Sequence, residues 1–131
     1  MKEEIKPQNI YGGGPYSPAI RLCDVIYISG QFGVDANGKP VGGLKEQTEQ
    51  ALENIEKILK EKNLTMDNIV KVTIFLVSSE NIEEKLKIVN DAYENYFKNF
   101  KKPYPARSTV IVAGLPIRGA LIEIEAIAYV F

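Results

Sequence analysis

The chain has 131 residues, 45% of them hydrophobic and 25% charged, with a formal net charge of −1. That is one domain's worth of ordinary globular composition, long enough for a real core, and it offers no global electrostatic case for nucleic acid or an anionic membrane. There is no histidine and a single cysteine, Cys23, which removes Ser-His-Asp and Cys-His catalysis, histidine metal ligation and an internal disulfide.

Residues 1–18 read as loop, punctuated by Pro7, Pro15, Pro18 and the run Gly12-Gly13-Gly14. That run lacks the preceding strand and the following Gly-Lys-Ser of a phosphate cradle. The opening residues have no apolar signal core, and no apolar run approaches the ~20 residues that span a bilayer. A cytoplasmic protein is expected. Asp24-Val25-Ile26-Tyr27-Ile28 predicts a strand ending at Ser29-Gly30. Cys23, beside it, is expected to be a small buried hydrophobe without a catalytic role. Asn37-Gly38 marks a turn.

From Leu44 a helix is predicted, stopping near Asn63. Thr48, Ala51, Leu52, Ile55, Ile58 and Leu59 form its apolar stripe, with Glu and Lys opposite. Thr65-Met66-Asp67-Asn68 reads as a capped single turn. It leads into a strand over 69–77, with Val70, Val72, Ile74 and Leu76 expected on one face. A second helix is predicted from about Asn81 to Phe100. Its apolar face is Ile82, Leu86, Val89, Tyr93, Tyr96 or Phe97, and Phe100, read as core. A strand beginning at Arg107, a turn at Leu115-Pro116 and a last strand from Leu121 complete the chain. This order predicts an α+β domain over 1–131, a mixed sheet with helices on one face. Phe75, Val77, Ile127, Tyr129 and Phe131 leave apolar side chains on the uncovered face, the mark of an interface.

The two C-terminal strands carry the chemistry. Arg107 opens the run to Ala113, and Glu123 and Glu125 interrupt an otherwise apolar stretch. Charges inside apolar strands are costly unless paired or used. On these residues alone, a structural Arg107–Glu123 pair or a solvated sheet face is the plainer reading. A site in which the planar guanidinium fork takes a carboxylate is the alternative.

Five segments in order resemble the RidA/YjgF family across nearly the whole chain. They are Gly14-Pro15-Tyr16-Ser17, Ser29-Gly30-Gln31, Val89-Asn90-Asp91-Ala92-Tyr93-Glu94, Pro105-Ala106-Arg107-Ser108 with the Leu115-Pro116 turn, and Ile122-Glu123-Ile124-Glu125-Ala126-Ile127-Ala128. The resemblance implies a chorismate-mutase-like fold and a homotrimer with sheets inward and active sites in clefts between subunits. It also implies hydrolysis of enamine and imine intermediates such as 2-iminobutanoate and 2-iminopropanoate to 2-oxo acids and ammonium. No cofactor, metal, nucleic acid or membrane partner is expected. Arg107 would bind the substrate carboxylate and Glu123 would handle the attacking water. Backbone groups near Thr109 would orient the imine nitrogen. Tyr16 would close the pocket, unless it is an ordinary loop aromatic. Ser29 and Gly30 would shape the cleft wall, Gly30 allowing close backbone approach. Asn90, near the apolar stripe, reads as a buried structural hydrogen bond.

Pro18, Thr109, Ile111, Ile117 and a longer final turn depart from the family pattern, which bears on substrate preference more than on reaction type. One competing expectation is a regulator that binds small carboxylates through Arg107 without using Glu123. Another is a single-strand RNA endonuclease. For that, no basic stripe with interleaved aromatics is present, and Lys98, Lys101 and Lys102 read as solvated helix-end charge.

Overall fold

The alternating runs and the three-and-four stripes become six strands and two long helices. The computed structural model describes residues 1–131. In chain order it contains β1 (Glu3–Ile5), β2 (Ala19–Leu22), β3 (Val25–Phe32), α1 (Leu44–Lys60), a 3-10 turn (Met66–Asn68), β4 (Ile69–Val77), α2 (Ile82–Phe97), β5 (Ala106–Val112) and β6 (Ile122–Tyr129). The sheet order is β1-β2-β3-β6-β4-β5. Only β4 and β5 pair in parallel, as α2 supplies the crossover that parallel neighbours require. No helix is long and apolar enough to cross a membrane.

Both helices pack on one face. Val72, Ile74 and Leu76 of β4, and Ile122, Ile124, Ala126 and Ala128 of β6, join Leu52, Ile55, Ile58 and Leu59 of α1 and Val89, Tyr93 and Phe97 of α2 in one core. The opposite face has no covering element, and Tyr27, Val110 and Tyr129 stand exposed there.

Four expectations change. The first eighteen residues are not all loop, because Glu3–Ile5 pairs with β2 at the sheet edge. Val70 leaves the apolar face: the register shifts between Ile69 and Lys71, Ile69 is buried in its place, and Val70 is 45% exposed. A bulge of this kind inserts one residue and resets the alternation. Tyr96 and Phe97 divide the roles left open between them. Phe97 is buried, while the Tyr96 hydroxyl donates to Glu56 on α1.

Cys23 is the fourth. It is exposed, at φ +55°, in the tight turn between β2 and β3. The hairpin, not the core, claims it. We therefore expect Cys23→Ala to change stability by less than about 0.5 kcal/mol, as surface substitutions do. A urea titration showing a larger loss would restore a packing role.

Candidate functional site: two half-sites on opposite faces of the sheet

Strand register decides where the candidate residues go. In the β4–β5 ladder Arg107 lies beside Val72, whose side chain faces the helices. In the β4–β6 ladder Glu123 lies beside Phe75, three residues on. An odd separation along a strand reverses the face. Arg107 therefore points to the helical side and Glu123 to the open side. The structural Arg107–Glu123 pair does not form: the protomer's ion pairs are Lys62–Glu3 and Lys87–Asp91. With β4 between their strands, the two α-carbons sit roughly 14 Å apart by ideal sheet spacings.

On the helical side Arg107 enters a cavity of about 260 Å³ lined by Asn90, Tyr93, Glu94, Tyr104 and Pro105. One guanidinium nitrogen donates to Asn90 Oδ1 at 2.5 Å. The guanidinium carbon lies 4.8 Å from the centre of the Tyr93 ring, within cation–π range. Asn90 is thus an exposed residue bonded to a candidate site residue, not the buried structural amide expected. Tyr93 is 4% exposed and its hydroxyl finds no protein partner. Burial pushes that hydroxyl up to about 12, against the opposing influence of Arg107. Thr109 shares the helical-side face with Arg107 but does not line this cavity. Its strand is the edge of the sheet, so the outer row of β5 backbone groups has no partner within the protomer.

On the open side a second cavity of about 360 Å³ is lined by Tyr16, Ser29, Gly30, Phe32, Pro116, Glu123 and Glu125. Four of the six predicted site residues meet here: Tyr16, Ser29, Gly30 and Glu123. Two local devices bring them together. The first is an irregularity between Ile28 and Gln31 in the β3–β6 ladder, which carries Ser29 and Gly30 over the Glu123 carboxylate. The second is a tether. Ser29 Oγ donates to the Ser17 carbonyl at 2.5 Å and Ser29 N to the Pro18 carbonyl at 2.9 Å, so the loop bearing Tyr16 is held to β3. The Ser29 hydroxyl proton is used in this way.

Burial first, and the Glu125 carboxylate second, push Glu123 above the ordinary carboxylate range. Each disfavours the charged form.

Gly30 is needed for space. A β-carbon built there would lie 1.8 Å from Glu123 Oε2 and 2.9 Å from Glu123 Cγ. The clash is with the end of a flexible side chain, so it displaces the carboxylate and spares the backbone. With Glu123 in the catalytic role that the family resemblance implies, Gly30→Ala should fold normally and lose turnover on the order of 10²-fold, the cost of misplacing a reacting group by about 1 Å. A crystal structure with Glu123 undisturbed, or unaltered turnover, would contradict this.

Two supports were invisible in the sequence. Gln47 and Asn54, polar residues on α1, are both buried. Gln47 Oε1 accepts from Leu121 N at 2.9 Å, and its amide donates to the Gly119 carbonyl at 3.2 Å. Asn54 donates to the carbonyls of Phe32 and Val34 at 3.2 and 3.3 Å. Together they fasten the segments that lead out of Phe32 and into Glu123.

A family model described as Endoribonuclease L-PSP matches residues 7–130. A RutC family protein of Aquifex aeolicus is 42% identical over 129 residues, covering 98% of each chain. A 2-iminobutanoate/2-iminopropanoate deaminase of Bos taurus is 44% identical over 117 residues, 88% of this chain and 80% of the bovine one. Among solved structures, the fold is similar to the YjgF gene product of E. coli, with TM-score 0.86 and 34% identity over 97% of this chain and 98% of that one. It is also similar to E. coli TdcF with bound serine, with TM-score 0.87 and 31% identity over the same shares.

Proposed function

This chain belongs to the YjgF/RidA family, and on that premise we propose that it hydrolyses small 2-imino acids to 2-oxo acids and ammonium without a cofactor. The observation that carries the reading is the division of polar groups between the two cavities. One presents an arginine fork with no carboxylate partner. The other presents a carboxylate with no cation. A small α-imino carboxylate needs both, the fork for its carboxylate and the glutamate for water. Relatives named as imine deaminases and a relative holding serine, an α-amino carboxylate, support the substrate class.

The two groups cannot serve one substrate within a protomer, because the sheet lies between them. We place the complete site between copies. Arg107 comes from one subunit, and Tyr16, Gly30 and Glu123 come from its neighbour. The uncovered apolar sheet face supplies the association surface, and three copies in a closed ring are the assembly that the family resemblance implies. Light scattering should then give about three times 14.6 kDa.

The reaction balances simply. Water attacks the imine carbon and passes a proton to the Glu123 carboxylate. The tetrahedral carbinolamine takes that proton on nitrogen. As the C–N bond breaks, the carbinolamine hydroxyl passes its proton through the Glu123 carboxylate to the leaving nitrogen, so that the carbonyl forms, ammonia leaves and the glutamate is regenerated. Imines hydrolyse readily in water, so orientation and one placed water supply much of the acceleration. A chain without histidine is equal to that task. The acidic pair Glu123 and Glu125 in the open-side cavity disfavours an RNA phosphate there.

The test couples the purified protein to a threonine dehydratase and follows 2-oxobutanoate. Faster appearance of the 2-oxo acid than the spontaneous rate supports the reading. An unchanged rate at saturating protein overturns it.

A further inference from the structure

We infer that Asn90 is a positioning residue for the carboxylate clamp: from α2 it holds Arg107 through a neutral acceptor, which fixes the fork while leaving the guanidinium's charge and remaining donors for the substrate. This deepens the imine-hydrolase reading and rests on it.

A guanidinium carries five N–H donors in one plane. Asn90 Oδ1 takes one at 2.5 Å, and the Tyr93 ring supports the cation at 4.8 Å. Neither contact neutralises the charge. The carboxylates nearest along α2 are accounted for. Asp91 is bound to Lys87 at 2.7 Å, and Glu94, one turn beyond Asn90, lines the cavity without forming an ion pair with Arg107. Asn90 sits between buried Val89 and buried Tyr93, so the core fixes its place on the helix.

The residue type follows from the task. An apolar residue at 90 would leave a long side chain to search its rotamers, an entropy that each binding event must then overcome. A carboxylate at 90 would take two donors at once and cancel the positive charge. An amide alone orients without quenching.

The measurement is calorimetric affinity for 2-oxobutanoate, with steady-state kinetics and Tm, for wild type, Asn90→Ala, Asn90→Asp and Arg107→Lys. Asn90→Ala should weaken binding by about 3- to 10-fold, in the range of one ordinary solvent-exposed hydrogen bond. Asn90→Asp should weaken it by about 30-fold or more, as expected when a clamp charge is paired away. In both, KM should rise with kcat little changed, the pattern of lost uniform binding. Asn90→Asp should keep or raise Tm through its new ion pair, so that stability and affinity move in opposite directions. A residue that only pins α2 to β5 would move them together. Wild-type affinity in Asn90→Ala, affinity within about twofold of wild type in Asn90→Asp, or losses that merely track Tm overturn the inference. The parent reading fails separately. If wild type does not bind 2-oxobutanoate, or Arg107→Lys binds it equally well, the clamp itself is wrong and this inference falls with it. If Arg107→Lys abolishes binding while both Asn90 variants are silent, only the inference is lost.

Discussion

Arg107→Lys is expected to fold and to lose imine hydrolysis by roughly 30-fold or more, the equivalent of about 2–5 kcal/mol for a broken charge-assisted pair. Lysine keeps the charge but not the planar two-point fork. The fold should survive because Arg107 is exposed and its one hydrogen bond goes to an exposed amide. Exposed contacts of that kind contribute little, about 0–1 kcal/mol. Turnover and Tm measured on the same sample decide the matter. Near-normal turnover, or turnover lost only as far as the fold is lost, would contradict the role.

Glu123→Gln should abolish most turnover while leaving ligand binding and, unusually for a half-buried position, leaving Tm equal or higher. The sign follows from the raised position of this carboxylate. An acid whose folded pKa lies above its unfolded value contributes stability only at low pH, and that contribution is lost as pH rises through the two values. At neutral pH the ionised Glu123 is a cost to the fold, which glutamine removes. The proposed mechanism needs the ionised form to take the proton from water, so the acid limb of the rate profile should lie above the ordinary carboxylate range. Glu125→Gln should move that limb to lower pH by removing the neighbouring charge. Turnover that persists in Glu123→Gln would contradict the role of this carboxylate, and a wild type that binds 2-oxobutanoate without turning over the imine would favour the carboxylate-binding regulator. A limb unmoved in Glu125→Gln would assign the upward shift to burial alone.

The helices and the three long C-terminal strands were legible because their periods are clean. Val89, Tyr93 and Phe97 recur at helical spacing, and Ile122, Ile124, Ala126 and Ala128 alternate along β6. What failed depended on local backbone geometry. The bulge that exposes Val70 exchanges one β-branched residue for another and leaves no compositional trace. Cys23 occupies a left-handed turn position where glycine or asparagine would have signalled a hairpin. Arg107 and Glu123 drew attention by the cost of charges in apolar strands, but on that ground alone a structural pair was the plainer reading, and the roles of all six candidate residues were expected only from the family resemblance. Their placement could not be read from the sequence. Whether Arg107 and Glu123 share a face depends on the parity of two ladders, Val72 with Arg107 and Phe75 with Glu123, and register is a tertiary fact. The same holds for Asn90. Its partner lies 17 residues away on another element, so sequence alone left it as a polar residue beside an apolar stripe.

The claim that each site is built from two copies has a direct test. Arg107→Lys and Glu123→Ala are each expected to be inactive alone. Co-expressed in equal amounts, they assemble at random. A site that takes its arginine from one subunit and its glutamate from the next then has both native residues in about one case in four, whatever the size of the closed ring. The mixed protein should therefore recover about a quarter of wild-type turnover by that same counting. No recovery above either parent, in mixed oligomers verified by mass, would place Arg107 and Glu123 in separate roles and contradict the shared site.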